Sequence, residues 1–229
     1  MKKDKLAIFD IDGTIFRKNL HFELITELVY SGVFKKTSRE EIQSLYGKWV
    51  NQKHTYEEHR DRMVDLYRKN IVGCKKVQIK KAAQKVVSLN AQRVYIFTKE
   101  LIKKLRKEGY CLVVISGSPI EIVKEYAENL NFDKFFGSIY ELDEKGFYTG
   151  EELFVPVDDK GRIVKKLVQE EGFSFGNSYG VGDTQSDAKF LELVENPIAF
   201  NPNKNLKAIA EKKGWKIVAE RKDVIYKIN

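Results

Sequence analysis

LAIFDIDGT, residues 6–14, sets four apolar residues directly ahead of two aspartates and a glycine. A short, unbroken apolar run closed by Asp and Gly is the pattern of a strand buried on both faces of a parallel sheet. In open sheets of this kind ligands gather beyond the carboxyl ends of the strands, which is where Asp10 and Asp12 fall. Similar runs recur as LVVI at 112–115, YGVG at 179–182, PIAF at 197–200 and WKIV at 215–218, each bounded by Gly, Asp, Ser or Asn.

Helical stretches lie between these runs. Ser118, Pro119 and Glu121 read as a capping box with proline at the first helical position, ahead of an apolar stripe of Ile122, Val123, Tyr126, Ala127 and Leu130. The preceding helix begins near Gln92 and ends at Gly109. Strands alternating with helices predict an α/β fold with a doubly wound parallel sheet. Residues 17–92 break the alternation, because HFELITELVY, REEIQSLYGKWV and YEEHRDRMVDLYRKN are helical in pattern and nothing there reads as a strand. They predict an all-helical cap of four helices, which could form a small bundle of its own, inserted after the first strand of a core made of 1–16 and 93–229. FGSIYELDEKGFYTG alternates apolar and polar residues around Glu144, Lys145 and Gly146, a β-hairpin near the sheet edge.

The chain has 229 residues, 42% of them apolar and 32% charged, which leaves material for a sizeable core and excludes disordered and collagen-like classes. Its net charge of +8 is unevenly placed: residues 17–92 hold 16 basic and 8 acidic side chains, and the remainder holds 25 of each. Such a block can attract nucleic acid, anionic lipid or small phosphorylated molecules. The absence of an aromatic-rich RNA motif or a recognition helix disfavours nucleic acid. Cys74 and Cys111 are too few and too far apart for a zinc cluster or disulfide framework. No apolar stretch approaches the roughly 20 residues that span a bilayer. The basic start meets an aspartate after four apolar residues, so it does not read as a secretory signal and the expected compartment is the cytoplasm.

Three strand ends carry polar groups: Asp10 and Asp12, then Ser116 and Gly117, then Asp183 with Asp187 four residues on. A hard divalent cation with oxygen ligands is the natural partner of such aspartates. DIDGT is not a calcium loop, since Gly13 follows the first aspartate by three residues and position 21 is His. Thr184 to Asp187 also fit a helix N-capping pattern, so Asp187 serves a cap or supports a metal site through water or through Lys160. DKGRIVKKL holds Lys160, Lys165 and Lys166, with Lys160 just ahead of an apolar stripe at Ile163, Val164 and Leu167. Thr14 reads as a turn residue, Trp49 and Trp215 as packing, and nothing pairs His21, His54 or His59 with a nucleophile. Arg60 and Arg62 are cap residues that could reach a substrate anion, with a solvated helix surface as the plainer reading.

DIDGT, VISGS, the lysine of DKGRIVKKL and GDTQSD, in that order, resemble the four motifs of the haloacid-dehalogenase superfamily of phosphatases. The insertion after the first motif, ISGSPIEIV, the hairpin ending FYTG and the tail NPIAFNPNKNLKAIAEKKGW resemble its phosphoserine-phosphatase-like branch. The resemblance covers essentially the whole chain. It implies a Mg²⁺-dependent phosphomonoester hydrolase in which Asp10 attacks phosphorus to form an aspartyl-phosphate and Asp12 acts as acid and base. Ser116, the Gly117 N–H and the motif lysine would hold the phosphoryl oxygens; Lys165 and Lys166 compete for that lysine, and the spacing of KGRIVKKL favours Lys160. Asp10, the Asp12 carbonyl and Asp183 would hold Mg²⁺, with Asp187 in support. Relatives that cleave carbon–halogen bonds or hold the phospho-enzyme as a pump intermediate lack an aspartate at the position of Asp12. Phosphoserine phosphatases carry a glutamate nine residues after the nucleophile, where this chain has Asn19, so small phosphomonoesters other than phosphoserine are expected. A phosphoryl transferase of the same fold is the close alternative, and a polynucleotide phosphatase using the basic cap a more distant one.

Overall fold

A computed structural model describes residues 4–228; the basic start at Lys2 and Lys3 lies outside the described residues. Eight strands form one sheet in the order β4-β3-β2-β1-β5-β6-β7-β8. They are β1 (Leu6–Phe9), β2 (Cys111–Pro119), β3 (Lys134–Leu142), β4 (Tyr148–Phe154), β5 (Tyr179–Gly182), β6 (Asn196–Phe200), β7 (Lys216–Arg221) and β8 (Val224–Ile228). The six central strands run parallel, and β4 and β8 add antiparallel edges. The chain builds outward from β1 through β2 to β3, returns, and builds the other way through β5, β6 and β7. The reversal at β1 leaves a crevice at the strands' carboxyl ends.

Period-two alternation sends side chains of β1 to opposite faces. Leu6 and Ile8 enter a core with α7 (Lys160–Glu171), α8 (Ala188–Leu191) and α9 (Lys204–Lys213). Ala7 and Phe9 enter the larger core, with α5 (Ile96–Lys107), α6 (Ile120–Asn129) and the four inserted helices. Those four are α1 (Leu20–Tyr30), α2 (Ser38–Val50), α3 (Tyr56–Ile71) and α4 (Lys76–Asn90). The second core is continuous from Ile79, Ala83 and Val86 of α4 to Ile122 and Tyr126 of α6 and on to Phe9 and Leu112 of the sheet. The insertion therefore shares the core of the sheet and is not a bundle with a core of its own.

Two helix starts differ from the sequence reading. Ser118 does not cap α6; it belongs to β2, and α6 opens after Pro119 with no side-chain cap. The preceding helix, α5, begins at Ile96, four residues beyond Gln92. Its first amides are satisfied by Glu220 of β7, whose carboxylate accepts from Ile96 N at 3.0 Å and Phe97 N at 2.8 Å. This cap comes from 124 residues away, outside the reach of any local pattern. The hairpin around Glu144 to Gly146 forms as expected, as β3 and β4 at one end of the sheet.

Candidate active site

Asp10 follows β1 and donates its N–H to the Val181 carbonyl at 3.0 Å, so the chain leaves the sheet while still tied to β5. Gly13 then turns it, with φ at +84°. A side chain at Gly13 would place its Cβ 2.2 Å from Asp183 Oδ2. Both the backbone angle and the close approach therefore demand glycine here.

Lys160, at the start of α7, is 1% exposed. Its Nζ donates to Asp10 Oδ1 and to Asp187 Oδ1, each at 2.6 Å. Lys165 and Lys166 lie on the exposed face of the same helix. The second oxygen of Asp187 accepts from the N–H groups of Asp183 and Thr184 at 3.0 Å and from Thr184 Oγ1 at 3.3 Å. Asp187 thus serves as a capping-box residue and as the anchor of Lys160, and both of its oxygens are engaged.

Asp12 turns its carboxylate away from Asp10. Oδ1 accepts from Leu20 N at 2.5 Å, and Oδ2 accepts from Ser118 Oγ at 2.7 Å and Ser116 Oγ at 2.9 Å. Asp12 is not among the carboxylates that cluster with Asp183, and its side chain is committed to these three donors. Ser116, fully buried, also accepts from Ser118 N at 3.0 Å and does not line the cavity, whereas Gly117 and Ser118 do. Ser118 is the site residue that the sequence reading assigned to a helix cap. In a bulged strand that shifts register between Ile115 and Pro119, Ser116 and Ser118 both turn toward Asp12.

Four carboxylates, Asp10, Asp12, Asp183 and Asp187, share this region with one ammonium. Burial raises the Asp10 carboxyl to about 7, against the opposing pull of Lys160. Burial likewise raises Asp12, although Ser118, Leu20 and Ser116 favour its charged form, and raises Asp183, with the Asp10 charge adding to the effect. For Lys160, burial acts downward, but Asp10 and Asp187 together hold it above its ordinary value. Oxygens of Asp10, Asp183 and Asp187 lie within 4.8 Å of one another, and Asp183 Oδ1 is buried without a hydrogen-bond donor. Excess negative charge, oxygen donors and one bare carboxylate oxygen fit a small hard cation.

A cavity of about 490 Å³ opens over these groups. Its far wall comes from the cap and the hairpin, including Asn19, Phe22, Tyr56, Arg60, Arg68, Tyr140 and Glu152. Asn19 caps α1, accepting from Phe22 N at 3.1 Å. Arg68 is held by Glu152 at 2.6 Å, and Arg60 by its neighbour Asp61 at 2.9 Å. Arg62 is exposed and does not line the cavity. Of the cap's 16 basic residues only Arg60 and Arg68 reach this wall, so most of the +8 excess faces elsewhere. His21 is buried beside the cavity with its ring edge-on to Tyr67, and burial pushes its imidazole down to about 3.

The model of the family described as haloacid dehalogenase-like hydrolase matches residues 7–192. A phosphoserine phosphatase from Methanocaldococcus jannaschii is 25% identical over 225 residues, covering 97% of this chain and 95% of that protein. One from Archaeoglobus fulgidus is 27% identical over 212 residues, covering 92% of this chain but 56% of that longer protein. A solved structure described as a phospho-aspartyl intermediate analogue of phosphoserine phosphatase superposes with a TM-score of 0.63 at 24% identity, covering 97% of this chain and 96% of that one. Among the described residues, no helix is long and apolar enough to cross a membrane.

Proposed function

The chain belongs to the haloacid dehalogenase-like hydrolase family, and from that premise we propose that it is a Mg²⁺-dependent phosphomonoester hydrolase acting on a small phosphorylated metabolite through an aspartyl-phosphate. The observation that carries this reading is the pair of unlike aspartates two residues apart. Asp10 is bound to Lys160, and Asp12 is clamped by two serines and an amide while burial favours its protonated form. Two carboxylates in different environments suit a nucleophile and an acid–base catalyst.

The Asp10 carboxylate attacks phosphorus as the bond to the leaving oxygen breaks, and the proton on Asp12 passes to that oxygen. Water then attacks the aspartyl-phosphate, Asp12 takes the water's proton, and Asp10 is released as a carboxylate. A carboxylate meeting a phosphate dianion is repelled by about 4 kcal/mol per charge pair at 4 Å, for an effective dielectric of about 20. Lys160 offsets part of this and, anchored by Asp187, keeps Asp10 oriented. When bound, Mg²⁺ supplies further positive charge at the transferring phosphoryl group, with Asp10, Asp183 and the carbonyl of Asp12 as its holders. The phosphoryl oxygens take the Gly117 N–H, and the Ser116 hydroxyl, buried on Asp12 outside the cavity lining, reaches them by turning away from a protonated Asp12. Asn19 at the cavity wall provides no carboxylate for a substrate ammonium, which favours substrates other than phosphoserine.

The test is turnover of a panel of phosphorylated metabolites with Mg²⁺ and after chelation. Activity that chelation abolishes and Asp10→Asn eliminates supports the reading; full activity in Asp10→Asn refutes it. Diversion of the phosphoryl group to added alcohols would instead identify a phosphoryl transferase.

A further inference from the structure

The four cap helices are not equally attached to the core. α4 shares the core beneath the sheet, and the turn between α3 and α4 is stitched to the hairpin. Gly73 N donates to the Tyr148 carbonyl and Tyr148 N to the Cys74 carbonyl, both at 2.9 Å. The carboxyl end of α3 is therefore fixed, with Tyr67 and Ile71 fully buried. Its amino end, about 22 Å away at 1.5 Å per residue, carries Tyr56 and Arg60 over the cavity. α2, which precedes it, buries only Ser38 and Leu45. α3 is thus fixed at its carboxyl end, while its amino end, packed on α1 and α2 through His59 against Phe22 and Trp49, supplies the cap side of the cavity wall.

A side-chain hydrogen bond ties that amino end to the core. Asn203, the residue capping α9, donates from Nδ2 to Oε1 of Glu57 in the first turn of α3 at 3.0 Å. Its Oδ1 accepts from Leu206 N at 2.8 Å, which fixes the amide orientation. Its own N–H donates to the main-chain carbonyl of Asp183 at 2.8 Å. One residue therefore touches the amino end of α3, the cap of a core helix and the loop that carries Asp183.

We propose that Asn203 is a positioning residue that latches the α2–α3 lid through Glu57 and couples its closure to the loop bearing Asp183. The role in turnover rests on the phosphatase reading; the latch itself does not. Asn203→Asp keeps an acceptor for Leu206 N but sets a carboxylate against Glu57. The double variant Glu57→Gln with Asn203→Asp restores a donor opposite an acceptor.

Hydrogen exchange of the substrate-free full chain, read by mass spectrometry over residues 38–62, is the decisive measurement. Asn203→Asp is expected to speed exchange there by about tenfold, the scale of one lost hydrogen bond to a charged group, with β1 and β5 unchanged. The double variant is expected to return it to within about twofold. In turnover, KM should rise more than kcat falls, and the double variant should recover it. Unchanged exchange in Asn203→Asp, or no recovery in the double variant, overturns the latch. Should Asn203→Asp fail to fold, Asn203→Ser, which still caps α9 but is too short to reach Glu57, is read by the same criterion. Exchange measured in the Asp10→Asn background separates the two ideas: a latch effect there with no phosphatase activity in the native chain would sink the function and leave the latch.

Discussion

Asp187→Asn tests whether Asp187 builds the site while Asp183 holds the proposed cation. The native carboxylate faces donors on both sides: Lys160 Nζ on Oδ1, and two backbone N–H groups with the Thr184 hydroxyl on Oδ2. An asparagine has a single acceptor oxygen, so in either orientation its amide protons point at donors already present. Removing one partner of a buried charge pair costs about 3–5 kcal/mol, and because Lys160 keeps Asp10 at 2.6 Å the lower value, about 3 kcal/mol, applies. For a chain of this size that lowers the melting temperature by about 6–12 °C. The assay is calorimetric unfolding without metal, paired with calorimetric titration of Mg²⁺ into native protein, Asp187→Asn and Asp183→Asn. Loss of a supporting residue should weaken Mg²⁺ binding by about 10–100-fold, and Asp183→Asn, which removes the negative charge behind the bare buried oxygen, should weaken it more. An unchanged melting temperature in Asp187→Asn, or a cation affinity lost as completely as in Asp183→Asn, would refute the assignment.

Three further outcomes follow from the same geometry. Because the folded-state pKa of Asp10 is raised from 3.8 to about 7, this group costs stability progressively as pH rises from about 4 to 7, up to about 4 kcal/mol. Metal-free Asp10→Asn also deprives Lys160 of one charged partner, so the variant is expected to be destabilised relative to the native chain more at pH 4 than at pH 8, read as urea midpoints, and an equal difference at both would contradict this. His21 has the opposite sign: with its pKa lowered from 6.5 to about 3, the stability from its neutral form is complete above 6.5 and declines as pH falls, by about 2 kcal/mol at pH 5. His21→Phe, which preserves a ring beside Tyr67, should flatten the stability profile between pH 6.5 and 5. Gly13→Ala should abolish Mg²⁺ binding and turnover, since the new methyl would meet Asp183 and the positive φ adds about 1–2 kcal/mol of strain; an active Gly13→Ala enzyme would mean that Asp183 is free to move.

The sequence by itself determined the α/β alternation, the carboxyl-end positions of Asp10, Asp12 and Asp183, and the place of Lys160 at the start of a helix, because these rest on periodicity and on short spacings along the chain. The helical character of the insertion was equally legible, since the 3.6-residue period needs no partner. What only the tertiary structure decided is where side chains point and which distant group meets them. Ser118 has the local look of a helix cap, yet strand β2 continues through it and its hydroxyl reaches Asp12 from 106 residues away. Glu220 caps α5 across 124 residues and Asn203 meets Glu57 across 146. A pattern along the chain records which face a residue occupies, whereas a hydrogen bond depends on the crossing of elements that only the folded core sets. The sixteen basic residues of the cap make the same point: their sum is a property of the sequence, but only the fold decides that two of them face the cavity.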